Sequence, residues 1–292
     1  HGLLRRQRQM CIRDSIPLQN QLLLRYWDDE WRNMVDLRKH RPSTTIQSIH
    51  QSNGWTTFLH KHPQFYQNPY NILLGMCGDG VQPFKGINHS TFVLSFKVLN
   101  LPPHQASKTS NLILGGICHG PREPVSVKPI LNLHVNELLS LWDGITVQHP
   151  DDPNRQETFR SALLLDTGDY PGWTKIGLLE NMSSYNGCGK CTLVGQLIPQ
   201  SGTSMSFAQY RRYLSNDDVR RRECTTFTNY ELQVPPRSKT TEYVLSNGRD
   251  AESSGRAVNG VKGVTPLCRL PGLYTTSGQY DLFYQRVNDI MI

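Results

Sequence analysis

Between Asn71 and Leu165 the spacing of apolar residues changes from strand-like to helix-like and back, and this restricts the fold more than any other feature. Thr91–Leu99 alternates, with Phe92, Leu94, Phe96 and Val98 on one face and Thr91, Ser95 and Lys97 on the other, which predicts a half-buried strand. Asn71–Gly78 is a mostly apolar run ending in Asp79-Gly80. Asn111–Cys118 is a third run, and Pro121 and Pro124 break the chain after it. From Lys128 to Trp142 the period becomes helical. Pro129 suits a first turn, Leu131, Val135, Leu138 and Trp142 make an apolar stripe, and Gly144 lies just past the end. Ile145–Gln148 predicts a short strand, Asp151-Asp152-Pro153 a loop, and Thr158–Leu165 a strand followed by Asp166-Thr167-Gly168-Asp169.

Three strands can pair as an antiparallel meander, and a helix then supplies the crossover that a parallel strand needs. That is the core order of the ribonuclease-H-like fold, an α/β class with a mixed sheet. In that order the first and fourth strands are neighbours, so Asp79 and Asp169 are expected to meet. Ahead of this core, Leu18–His40 predicts one amphipathic helix through Leu23, Trp27, Trp31, Met34 and Leu37, and Gly54–His60 predicts a short one. Residues 16–70 are therefore expected to be a helical segment and 71–180 the core. Residues 181–260 are expected to be a largely irregular cysteine-containing insert, and 261–292 a truncated C-terminal segment. The first fifteen residues have no clear period. Their tail, Arg6 to Ser15, resembles a translated sequencing adapter, so 1–15 is expected to be a non-native, disordered scar; the other reading is a basic arm touching DNA.

With 37% hydrophobic and 19% charged residues the chain is too apolar for a disordered one, and no apolar run exceeds strand length, so no membrane helix is expected. The formal charge of +7 leans toward an acidic partner such as nucleic acid, but it falls to +4 without the first fifteen residues. Seven cysteines are too few for a disulfide-stapled domain and point to a reducing compartment.

Paired carboxylates at adjacent strand ends can bind hard divalent cations, and two such ions can stabilise both oxygens of a phosphodiester displacement. Asp79 and Asp169 are that pair. Each, like Asp166, also reads as an ordinary turn residue. Cys188-Gly189-Lys190-Cys191 has the spacing of half a tetrahedral zinc site, but all ten histidines lie at or before His149, leaving Cys224 and Cys268 as other partners. An unoccupied remnant is the alternative. A redox pair usually opens a helix in a thioredoxin-like unit, which this region does not resemble. Gly75, Gly78 and Gly80 lack a phosphate-loop ending, and the histidines show no ligand spacing. Tyr210-Arg211-Arg212-Tyr213 and Arg220-Arg221-Arg222 could track a phosphate backbone or simply be solvated.

Several stretches together resemble the CACTA (En/Spm-type) transposase domain. They are Trp55, His62-Pro63-Gln64-Phe65, Asn68 to Gly75, Asp79-Gly80 with Pro83-Phe84, Asn100 to Pro103, Gly120-Pro121 with Pro124, Glu137-Leu138 with Leu141-Trp142, Asp169-Tyr170-Pro171 and Cys188 with Cys191. The resemblance covers about residues 16–285. It implies a cut-and-paste DNA transposase on a ribonuclease-H-like fold, with an Asp-Asp-Glu site using Mg²⁺ or Mn²⁺ and a Cys/His zinc insert. Asp79 then matches the first catalytic aspartate, Asp169 the second, and Cys188 and Cys191 the first zinc pair. The implied partners are transposon ends and a transposase homo-oligomer, in the nucleus. The sequence departs from the family after Cys191, where histidines are missing. Asp281-Leu282-Phe283-Tyr284 stands where Asp-x-Met-His is expected, and the third carboxylate is not found. The expectation is an incomplete or inactive catalytic-core fragment; the alternative is a domesticated or decayed copy that only binds DNA or protein.

Overall fold

The computed structural model describes residues 13–39, 48–86, 89–120, 123–198, 204–207 and 237–271. The strands are β1 (Arg13–Ser15), β2 (Ile72–Val81), β3 (Thr91–Val98), β4 (Leu112–Cys118), β5 (Ile145–His149), β6 (Asp152–Phe159), β7 (Ser161–Thr167), β8 (Gln196–Leu197) and β9 (Met205–Ser206). The α-helices are α1 (Leu18–Tyr26), α2 (Asp29–Val35), α3 (Asn53–Lys61), α4 (Pro103–Ala106), α5 (Lys128–Asp143), α6 (Tyr170–Ile176) and α7 (Thr241–Ser254). Contacts divide the chain into two units. One runs through Trp173 and takes in Pro266–Arg269; the other is Thr174–Thr265.

In the first unit five strands form one mixed sheet, in the order β1-β4-β3-β2-β7. β2, β3 and β4 are the antiparallel meander, and β7 joins β2 in parallel after the α5 crossover. The sequence order therefore gave the right pairing. β2 is buried from Ile72 to Met76 whichever way its side chains point, as expected of a central strand covered on both faces. On the face shared by Met76 and Phe96, α5 packs through Leu131, Val135, Leu138 and Leu141. There the His134 ring lies 5.2 Å from Phe96 and its Nε2 is 2.9 Å from the Gly115 carbonyl oxygen. A Cβ on Gly115 would come within 2.7 Å of the Phe96 ring, so only glycine fits under it. On the opposite face Leu73 joins Trp55, Phe58, Leu59, Phe65, Leu99 and Leu164 in a cluster. The 16–70 helical segment thus completes the core of the sheet. Trp142 packs against this second cluster, with its ring 5.3 Å from Phe65, and not with the Leu131 stripe.

Two buried asparagines tie the start of β2 in place. Asn100 Oδ1 accepts from Leu73 N (2.8 Å), and its Nδ2 donates to the carbonyls of Asn71 (2.9 Å) and Val35 (3.1 Å). Asn71 Oδ1 accepts from Arg160 N at 2.6 Å, and its Nδ2 reaches Phe65 O at 3.1 Å. Both side chains are fully buried, so each replaces water that the irregular backbone would otherwise need.

Four expectations are corrected in this unit. Arg13–Ser15 is not a loose tail: it pairs antiparallel with β4, while residues 1–12 lie outside the described residues. The single 18–40 helix breaks after Tyr26, because Asp28 starts a new one by accepting Trp31 N at 3.2 Å. The buried stripe is then Leu18, Leu22, Tyr26, Trp31 and Val35, and Trp27 is 54% exposed. The Asp151–Pro153 loop and the 158–165 strand are redistributed: β6 begins at Asp152, pairs with β5 in a separate hairpin, and ends before Arg160, so β7 starts at Ser161 and includes Asp166. Tyr26 bonds Glu157 of that hairpin, and buried Arg32 reaches Asp151 at 3.0 Å.

The second unit is sparer. It holds the β8–β9 pair, isolated bridges such as Cys191 to Ser238, and α7, a helix that the sequence pattern did not single out. Thr240 caps α7 by accepting Tyr243 N at 3.2 Å, and Gly255 ends it at a φ of 68°. Gly248 sits inside that helix because a Cβ there would come within 2.9 Å of Val264. Among the described residues no helix is long and apolar enough to cross a membrane.

Candidate functional site at the β2 and β7 strand ends

β2 and β7 run in the same direction, so their carboxyl ends finish together. The register places Leu74 opposite Leu163, Met76 opposite Asp166 and Cys77 opposite Thr167, with one irregularity after Leu74. Asp79 lies two residues beyond Cys77 and still within β2, opposite Val93 of β3. Asp169 lies two residues beyond Thr167, at the entry to α6, where its carbonyl accepts Trp173 N at 2.9 Å. The turn is held close: a side chain on Gly172 would drive into the Gly78 carbonyl oxygen, so only glycine lets the Asp169 turn sit against β2. Both predicted aspartates are exposed at one end of the sheet.

Each also makes the turn bond that the plain reading foresees. Asp79 Oδ1 accepts Gly80 N at 2.7 Å, and Asp169 Oδ1 accepts Gly172 N at 2.8 Å. The Cys77 thiol reports the local charge. Burial pushes its pKa up first, and the nearby carboxylates of Asp79 and Asp169 push it further. Asp166 was one more turn residue in the sequence; here it is 2% exposed, its Oδ1 has no hydrogen-bond partner, and burial alone raises its carboxyl well above the usual range.

Three residues passed over in the sequence gather at this same end. The Glu123 carboxylate lies over Gly80 and accepts Ser90 Oγ at 3.1 Å. The rings of His89 and His119 are 4.6 Å apart. The signal was in the pairing: Phe92 faces Cys118, so the residues just before β3 and just after β4 must be neighbours. Among the described residues no three His, Cys, Asp or Glu side chains are grouped so as to hold a metal ion.

In the second unit Cys188 and Cys191 have their sulfurs 3.4 Å apart, and both are half-buried. Lys239 lies beside them, 3% exposed; burial lowers its pKa, while the two thiols and Glu180 act against that shift. Arg211, Arg212, Arg220, Arg221, Arg222 and Cys224 lie outside the described residues.

Comparison with known families places the chain among transposases. A family model matches residues 44–250, well over half the chain and a stretch that holds Asp79, Asp169, Cys188 and Cys191. Its description is "Transposase family tnp2", and the chain belongs to that family. No curated protein matches the chain.

Proposed function

We propose that the chain is the catalytic-core segment of a CACTA-type DNA transposase on a ribonuclease-H-like fold, with Asp79 and Asp169 as its ligands for Mg²⁺ or Mn²⁺. The supporting observation is the parallel pairing of β2 with β7, which brings the ends of two distant acidic segments together in a transposase-family chain. The donor chemistry fits: exposed carboxylate oxygens are what a hard, hydrated cation takes. When bound, such ions stabilise the attacking and leaving oxygens of a phosphodiester. The chain's own part is positioning. Gly80 and Gly172 amides each hold one carboxylate oxygen, and the Gly78–Gly172 contact fixes the turn against the strand. Transposon ends are the substrate of this reading. The arginines at 211, 212 and 220–222 are its backbone contacts, and oligomerisation and a nuclear location go with it.

The second reading is a non-catalytic DNA- or protein-binding copy. It is favoured by the missing third ligand among the described residues. With two carboxylates alone, cation binding is weak and the 292-residue chain is not expected to nick DNA. Mn²⁺ titration followed by electron paramagnetic resonance separates the two. Weak binding that falls by at least ~10-fold in both Asp79→Asn and Asp169→Asn supports the catalytic core. Equal binding by all three proteins supports the second reading. Metal-dependent nicking lost in Asp79→Asn would show that the site is already complete.

A further inference from the structure

β2 ends at Val81, two residues beyond Asp79, and the apolar side chains there face water. Val81 is 41% exposed and Phe84 is 52% exposed. Alternation along β2 puts Val81 on the same face as Asp79. The Phe84 ring is nevertheless braced. It meets the His89 ring edge to face, with 5.6 Å between centres, and His89 lies 4.6 Å from the ring of His119, the first residue after β4. Among the described residues, His89 Nε2 is shielded from water and has no hydrogen-bond partner. An orphaned ring nitrogen is costly, so polar bonding is not what holds His89 between the two rings. What it supplies is a second ring behind Phe84. Phe92 pairs with Cys118, and β7 finishes beside β2, so this row of rings stands at the end of the sheet that carries Asp79 and Asp169.

Apart from histidine, the charged residues described between β2 and β3 and between β4 and α5 are Lys85 and Glu123, one of each sign. They give no net attraction for a phosphate backbone, so what this surface offers is a ring. Every nucleobase has a π face, and an aromatic side chain takes such faces whatever the sequence. A base inside a duplex has both faces covered by its neighbours, whereas an unpaired base does not. Phe84 is five residues past Asp79. That is at most ~18 Å of chain, or about five nucleotides of DNA. We propose that Phe84, backed by His89, is a stacking platform for an unpaired nucleobase of the DNA end, within about five nucleotides of the phosphate that Asp79 and Asp169 address. The proposal rests on DNA ends being the substrate, and it holds whether or not the chain cuts them.

The test uses the full chain in EDTA, so that no metal-dependent step enters. The probe is a short DNA duplex with a single-stranded end carrying 2-aminopurine, compared with the same duplex made blunt. The single-stranded end is expected to tighten binding by roughly 10-fold and to change the 2-aminopurine emission. Phe84→Ala should remove both effects and leave binding of the blunt duplex as it was, while Phe84→Trp should keep them. His89→Ala should lose most of the emission change, and His89→Phe should restore it. Circular dichroism of each variant confirms that the fold is kept. Three results would overturn the proposal: equal affinity of the unmodified protein for the two DNAs, a Phe84→Ala protein that behaves like the unmodified one, or a Phe84→Ala change that instead splits a homodimer in sedimentation, which would make the ring a contact between copies. Mn²⁺ binding without the stacking signal would sink this proposal alone, and stacking without Mn²⁺ binding would sink the catalytic reading alone.

Discussion

The five-stranded sheet and the cysteine turn solve the same problem by different means. Around β2 the chain removes apolar side chains from water on both faces, and its buried polar groups are either fully bonded, as Asn71 and Asn100 are, or kept neutral, as burial favours for Asp166. The unit around Cys188 buries fewer large side chains, among them Leu179, Leu193, Val244 and Val261. The structure is held by short backbone ladders, and a charge is buried beside two thiols. The difference teaches where each kind of polar group belongs. In the sheet a polar residue is tolerated because it substitutes for a ladder bond, whereas beside the turn Lys239 is held by a single carbonyl, that of Asn186, and by the Tyr243 ring.

The comparison breaks most easily at Asn100. Asn100→Leu leaves the Leu73 amide and two carbonyls without partners in a dry site, so urea denaturation should show a loss of about 3–5 kcal/mol. A loss below about 1 kcal/mol would mean that the network is ornamental. Next comes Gly115→Val, which forces atoms into the Phe96 ring and should cost about 1–3 kcal/mol with no change in denaturant slope.

Asp166 sharpens the contrast through pH. Its folded pKa is raised, so the fold prefers the neutral acid. Its stability contribution is full below the unfolded value of about 3.9, and it declines as pH rises from there through the raised folded value. Asp166→Asn should remove that decline and leave the variant about 1 kcal/mol more stable at neutral pH. Parallel stability curves for the two proteins would refute it. The smallest effect belongs to Lys239→Met, which exchanges a buried ammonium for an apolar chain of similar length. It should change stability by less than about 1 kcal/mol. A cost as large as that of Asn100→Leu would erase the distinction between the two regions.

What could be read from the residues follows the same division. Alternation at Phe92, Leu94, Phe96 and Val98, and the stripe at Leu131, Val135 and Leu138, were visible because burial imposes a period. Of the β5–β6 hairpin, β5 was legible at Ile145–Gln148, whereas β6 was not, because Arg155, Gln156 and Glu157 give it no apolar face. The α1–α2 break turned on one cap, Asp28, and shifted which face of the helix was buried. Asp79 and Asp169 could be placed because strand order alone brings their ends together. Glu123, His89 and His119 needed the register of β3 on β4, and Lys239 belongs to no motif at all. Its placement comes from backbone pairing 48 residues away in sequence from Cys191.

The parallel seam between β2 and β7 also sets an order of assembly. β2, β3 and β4 are joined by short connections and can zip together as the chain emerges, whereas β7 must wait for the helix and hairpin that precede it. Closing so long a loop carries an entropic toll that grows only slowly, by about 0.6 kcal/mol per doubling of length, and the docking of Leu163 and Leu165 against β2 offsets it. Until that docking, Asp79 has no acidic neighbour from β7's end. The strand ends that carry Asp79 and Asp169 thus come together only once β7 docks, and until then Asp79 is an ordinary turn aspartate.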